Sequence, residues 1–152
     1  MNLALWLERT AAVSGDRPAL LSGEAIVADY ATFHARATAL AAALGADGIK
    51  AGDRVALFVS NRPEFVIALF AVQRLGAIAV PIGAREQRDG LRWVLGHCGA
   101  RAIFHDAELA HRLPLPAELP QLAFRVACPP PESLPVEGAD AGTDRTHQPH
   151  PG

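Results

Sequence analysis

The sequence predicts an α/β domain with a mostly parallel sheet and helices on both faces. Three observations carry that prediction. Two short runs rich in β-branched and apolar residues, 54–59 and 77–82, stand on either side of one stretch of helical periodicity. A third such run, 101–104, follows a further helical stretch. The joints between these pieces are short, and a strand–helix–strand succession of that kind calls for a parallel crossover.

The elements follow in chain order. Residues 3–13 read as a helix with Leu3, Trp6 and Leu7 on its apolar side, and 14–18 as a loop. Residues 19–21 and 25–27 flank Ser22, Gly23 and Glu24, a small hairpin pattern. Asp29 is the expected cap of a helix over 30–44, whose buried face carries Phe33, Ala37, Leu40, Ala41 and Leu44. Gly52 and Asp53 turn the chain into strand 54–59, whose Val, Leu and Phe suit burial on both faces. Asn61 then reads as an N-cap, with Pro63 in the first turn and Glu64 at the third helical position. Phe65, Ala68, Leu69, Val72 and Leu75 recur at helical spacing until Gly76 stops the helix. Strand 77–82 follows, then a polar segment over 83–89 and a helix over 88–97 that ends at Gly99. Residues 101–104 form the next strand, 106–111 a helical turn, and 122–126 a fourth strand.

From Cys128 the character changes. CPPPESLPVEGADAGTDRTHQPHPG is rich in Pro, Gly and polar residues and cannot bury enough apolar surface to offset its ordering entropy. The expected organisation is one domain over 1–127 and a Pro/Gly-rich disordered tail over 128–152.

The same patterns exclude several functions. The stretch VALFVSNRPEFVIALFAVQRLGAIAVP (55–81) is long enough to cross a bilayer, but Asn61, Arg62, Pro63 and Glu64 break it, and so do Gln73 and Arg74. Each apolar piece is too short, so no membrane span is expected. The formal charge is −2, which gives no general attraction to nucleic acid or anionic lipid. Aromatic residues are few and sit at core positions, so no base-stacking surface is expected. The N-terminus has no basic start and no long apolar stretch, which points to the cytoplasm. Cys98 and Cys128 have no cysteine neighbours at metal-ligand spacing and read as two free thiols of a reducing compartment. Cationic residues are nearly all arginine, with Lys50 the one lysine, and alanine is abundant, a bias expected of a GC-rich bacterial genome.

Set in order, these segments resemble the adenylate-forming superfamily of acyl-CoA synthetases, aryl-CoA ligases, luciferases and peptide-synthetase adenylation domains. GDRPAL (15–20) resembles its N-terminal signature. GIKAGDRVALFVSNRPEFVIALFAVQRLGAIAVPI (48–82) resembles its core pattern, and LRWVLGHCGARAIF (91–104) the segment that follows. The opening NLALWLERTA is most similar to bacterial fatty-acid and related acyl-CoA ligases. The resemblance spans about residues 3–126. It implies the N-terminal subdomain of an enzyme that uses Mg-ATP to turn a carboxylic acid, here a fatty acid, into an acyl-adenylate and then passes the acyl group to coenzyme A.

The family's phosphate loop, rich in Ser, Thr and Gly and ending Pro-Lys-Gly, is expected just after the fourth strand. In its place stands AGTDRTHQPHPG (141–152), with only Gly142–Thr143 and Pro151–Gly152 as a faint echo. A phosphate grip needs several small residues offering N–H groups and a lysine or its equivalent. Neither Gly-x-Gly-x-x-Gly after a strand nor Gly-x-x-x-x-Gly-Lys-Ser/Thr occurs. The expectation is therefore a shortened ligase, inactive alone, with no catalytic, cofactor-binding or metal residue and no cofactor of its own. Carboxylic acid, ATP and CoA are partners of the complete enzyme only. A deliberate truncation, a frameshift, an early stop or a pseudogene would each produce this pattern. Two other readings stand beside it: a non-catalytic interaction module descended from the family, and an unrelated small Rossmann-like nucleotide-binding domain. Exposed apolar surface and a bare sheet edge lead us to expect self-association.

Individual polar residues carry structural readings. Asn61 to Glu64, at the carboxyl end of a parallel strand, read as helix capping rather than ligand contact. Arg85 reads as a surface or inter-subdomain ion pair rather than a phosphate contact. His97 and Cys98 are helix neighbours that point in different directions and so form no catalytic pair. His105, Asp106, Glu108 and His111 look loosely metal-like but read as a solvated helix start, and His147 and His150 belong to the tail.

Overall fold

The computed structural model describes residues 2–128. Helix α1 (Leu3–Ser14) leads into a hairpin of β1 (Pro18–Ser22) and β2 (Ala25–Asp29), then helix α2 (Tyr30–Ala46). Strand β3 (Arg54–Phe58), helix α3 (Pro63–Arg74), strand β4 (Ile78–Pro81), helix α4 (Arg88–Cys98) and strand β5 (Ala102–Asp106) follow. A short 3₁₀ helix (Ala107–Arg112) precedes the last described strand, β6 (Phe124–Cys128).

The four later strands form one sheet in the order β4-β3-β5-β6, and every neighbouring pair is parallel. Strand β3 is central, pairing Leu57 with Pro81 on one side and with Phe104 on the other. Alternation along β3 feeds two cores. Val55, Leu57 and Val59 pack with Ala68 and Val72 of α3 and Leu44 of α2. Ala56 and Phe58 pack with Leu91 and Leu95 of α4. Helices therefore cover both faces, and a strand buried on both faces reads as a continuous apolar run. A third cluster joins Leu7 of α1, Leu20 and Ala28 of the hairpin, Phe33 and Ala37 of α2, and Ile67 of α3.

Among the described residues, no helix is long and apolar enough to cross a membrane. Helix α3, the centre of the apolar stretch, is instead wedged between the sheet and the α1–α2–hairpin layer. Both sides of it are buried: Ala68 and Val72 toward the sheet, Ile67 toward the outer layer. Its near-continuous hydrophobicity has that cause.

Two local expectations need correction. On α1 the buried residues are Ala4 and Leu7, while Leu3 and Trp6 face outward at 38% and 56% exposure. The Leu3–Trp6–Leu7 stripe is a helical period, but the surface offered by α2 and α3 takes the narrower Ala4–Leu7 edge. The cap of α3 is Arg62, with extended backbone and no side-chain cap bond, so Asn61 lies one residue outside the helix. Pro63 explains the displacement. It takes the first helical position, where its missing N–H costs nothing, and it forces the residue before it into extended geometry. Glu64 is thus at the second helical position. The helical spacing of Phe65, Ala68, Leu69, Val72 and Leu75 is kept: Ala68 and Val72 are fully buried, and Phe65, Leu69 and the C-cap Leu75 pack partly buried against the same core.

Other local signals hold. Asp29 accepts from the Thr32 amide at 2.7 Å and caps α2. Gly23 turns the hairpin with φ +61°, and Gly76 and Gly99 follow α3 and α4 in the left-handed region. By contrast, Cys128, which the sequence places at the head of the tail, is the last residue of β6 and is fully buried, because its side chain packs into the core between the sheet and α3. The tail expectation for the residues after it, including His147 and His150, lies outside the described residues.

Candidate functional site

In an open parallel sheet, ligands gather beyond the carboxyl ends of the strands. Here those ends converge on a buried polar network. Strand β3 runs out at Ser60–Arg62, and β5 ends at Asp106, opposite Cys128 of β6. Asp106 Oδ2 accepts from the Ser60 amide at 2.8 Å and from Ser60 Oγ at 2.7 Å. Its Oδ1 accepts from an Arg62 guanidinium nitrogen at 3.0 Å, and Arg62 Nε donates to Glu64 at 2.7 Å. The three charged side chains are only 8–11% exposed.

Two buried carboxylates share one arginine. Glu64 sits in the first turn of α3, where the helix dipole and free amide groups favour negative charge. Burial opposes the charge on Arg62, but the hydrogen bond to Glu64 and the fields of Cys128, Glu64 and Asp106 together raise its pKa above the usual arginine value. Cys128 lies beside the network. Burial pushes its thiol up to about 11, against the opposing field of Arg62. A thiol held that high is not a nucleophile at neutral pH.

The Ser60–Arg62 loop separates two clefts. The larger, about 540 Å³, lies over the ends of β3 and β4 and is lined by Val59, Phe65, Pro81 and Ile82, with Arg85 at its edge. The smaller, about 280 Å³, lies between the hairpin tip and the start of α3, with Leu21, Gly23, Arg62 and Val66 in its walls. Asn61 lines both. The larger cleft is bounded beyond Ile82 by the segment 83–87, which is itself held from the far side. Arg112 donates to the Ala84 carbonyl at 2.9 Å, and Arg88 donates to the His111 carbonyl at 2.7 Å. Among the described residues, the larger cleft has an apolar floor with Arg85 as the cation at its edge.

The singled-out residues separate clearly. Asn61 caps nothing and faces both clefts. Arg85 makes no ion pair among the described residues and borders the larger cleft. His105 and Asp106 do not form a solvated helix start: β5 runs through both, and they are 4% and 6% exposed. Glu108 and His111 are exposed on the 3₁₀ helix, so the four do not converge. No group of His, Cys, Asp and Glu able to hold a metal occurs among the described residues. His97 stacks on Trp93 at 5.0 Å between ring centroids, and the Cys98 thiol faces the Leu95 carbonyl, so the two form no pair. Both cysteines are free. Sequence reasoning missed the role of Asp106. The available signal was a polar triplet, Ser60, Asn61 and Arg62, directly after a fully buried strand, which demands a partner from a neighbouring strand end.

Comparison with known proteins extends this picture. A family model described as AMP-binding enzyme matches residues 7–150. The crotonobetaine/carnitine–CoA ligase of Citrobacter koseri is 37% identical over 111 residues, covering 70% of this chain and 22% of that ligase. The inhibitor-bound N-terminal domain of FACL13 from Mycobacterium tuberculosis superposes with a TM-score of 0.77 at 28% identity, over 84% of this chain and 33% of that one. The anthranilate CoA ligase AuaEII in complex with anthranoyl-AMP superposes with a TM-score of 0.79 at 26% identity, over 84% of this chain and 25% of that one. The chain thus spans about a fifth to a third of the length of these relatives.

Proposed function

The chain belongs to the AMP-binding enzyme family and has the fold of the N-terminal part of its acyl-CoA ligases, and on that premise we propose that it supplies the N-terminal subdomain of an AMP-forming carboxylate–CoA ligase. Residues 1–127 are that subdomain in this reading, and 128–152 the segment that follows it. The parent reaction joins a carboxylic acid to ATP, releases pyrophosphate, and transfers the acyl group from the adenylate to coenzyme A in the cytoplasm. A fatty acid is the first substrate to test. The relatives named above are ligases of crotonobetaine or carnitine and of anthranilate, so the acyl group varies within the family. The supporting observation is the match over 7–150 together with superposition on solved N-terminal domains over 84% of the chain.

The 152-residue chain by itself is inactive in this proposal and needs no cofactor. Stabilising the charge of a departing pyrophosphate takes converging cations and amide donors. Among the described residues, the carboxyl edge of this sheet presents Arg85 alone to its larger cleft, and Arg62 is already shared between two carboxylates. No described residue is assigned a catalytic, cofactor-binding or metal role. Ligand-detected NMR on the purified chain with Mg-ATP, CoA and a fatty acid in turn tests this. The expected result is no saturation transfer to Mg-ATP, and a transfer that excess unlabelled AMP competes away would overturn it.

Membership of the family removes the alternative of an unrelated Rossmann-like domain. The interaction-module reading keeps one supporting observation: Leu5, Trp6, Ile26, Ile78 and Trp93 are each at least half exposed.

A further inference from the structure

We infer that Asp106, acting through Ser60 and Arg62, is a positioning residue that sets the wall between the two clefts. The loop Ser60–Arg62 is that wall, and Asn61 lines both cavities. The loop has no help from a side-chain cap, because Arg62 occupies the cap position of α3 without a cap bond. What holds it comes from across the sheet. Asp106, 44–46 residues away in sequence, takes the Ser60 amide and hydroxyl on one oxygen and Arg62 on the other. The two oxygens of one carboxylate thus grip both ends of the turn around Asn61. Arg62 then passes the constraint to the first turn of α3 through Glu64. A buried network with every member satisfied is stiff and directional, whereas loop backbone alone samples many states. Stiffness here fixes the shape of the two clefts together: a shift of Asn61 that widens one narrows the other. This role follows from the geometry of the chain and does not depend on which ligand the clefts accept.

The test is residue-resolved amide exchange by NMR on the 152-residue chain and its D106N, S60A and R62K variants. D106N keeps the shape and removes the charge that holds Arg62. S60A deletes one hydroxyl and leaves the ion pairs intact. The expected result for D106N is exchange at the Ser60 amide, which Asp106 holds, accelerated about tenfold or more, with the core amides of Val55, Ala56 and Ile103 within about twofold of the parent. S60A gives a smaller change at the same amide. R62K, which keeps the charge, falls between the parent and D106N. Unchanged loop exchange in both D106N and S60A would overturn the inference. So would acceleration spread equally over loop and core, since that is loss of stability and not of position. Should D106N fail to fold, S60A alone decides between these outcomes.

Discussion

The Asp106 carboxylate illustrates why single residues are the hardest part of this sequence to read. Its partners Ser60 and Arg62 are brought to it only when β3 and β5 pair, so no local spacing announces them. Asp29, by contrast, bonds to Thr32 three residues on, and its capping role is legible from the sequence. Removing Arg62 leaves two buried carboxylates without their shared cation. R62A should cost about 3 kcal/mol, the low end of the penalty for stripping one partner from a buried ion pair, read as a shift in urea midpoint. Cys128 gives a second prediction. With its thiol pushed up to about 11, it should alkylate at pH 8 about a hundredfold more slowly than free cysteine in solution. Peptide mapping after iodoacetamide treatment measures the ratio, and equal rates would contradict the burial argument. The pH dependence of stability has two limbs. The hydrogen bonds from Thr32 lower the pKa of Asp29, so its contribution is complete above the ordinary carboxylate range and is lost as the pH falls through the lowered value. The raised thiol of Cys128 acts in the opposite direction. It favours the folded state below about pH 8.5, and that preference is lost as the pH rises toward about 11. Thermal melts from pH 3 to 11 should therefore decline at both ends, and the C128S variant should show a weaker alkaline decline.

Strands and helices were far more legible, because each rests on a period that the chain carries by itself. The runs at 54–59, 77–82 and 101–104 lie on β3, β4 and β5, and Gly76 and Gly99 end their helices as glycine should. The misreadings sit where tertiary contact chooses between equivalent helical faces, as on α1, or where Pro63 outranks Asn61 in deciding where α3 begins. One joint shows how elements are tied together. Arg54, the first residue of β3, donates from Nε to the Cys98 carbonyl at 2.7 Å, which satisfies an open carbonyl at the end of α4. Gly99 follows with φ +65°, and a Cβ there would come within 2.8 Å of the same guanidinium. G99A should therefore cost more than the roughly 1 kcal/mol of a left-handed alanine, and Arg54 will have to move. In the core beneath, Leu95 is fully buried against Ala56, Phe58 and Ile103. L95A should lose about 2–5 kcal/mol of stability by chemical denaturation, the range for emptying such a position.

For the molecule as a whole, fold class and family were readable because the order of elements is carried by the chain, while the shape of the site was not. The clefts exist only where the ends of β3 and β4, the hairpin tip and the segment after Ile82 come together. Strand β4 ends the described sheet with Ile78 51% exposed, and an uncovered edge beside apolar side chains favours pairing with a second copy. Sedimentation velocity should show concentration-dependent association that I78K reduces; a monomer at every concentration would remove that expectation. The most direct measurement of the central claim is ATP–pyrophosphate exchange by the purified 152-residue chain with Mg²⁺ and a panel of short, long and aromatic carboxylic acids. No exchange above background is expected, because the proposal assigns no phosphate-gripping residue among the described residues 2–128. Exchange that depends on the added acid and survives repurification would contradict it and place a working nucleotide site within these residues.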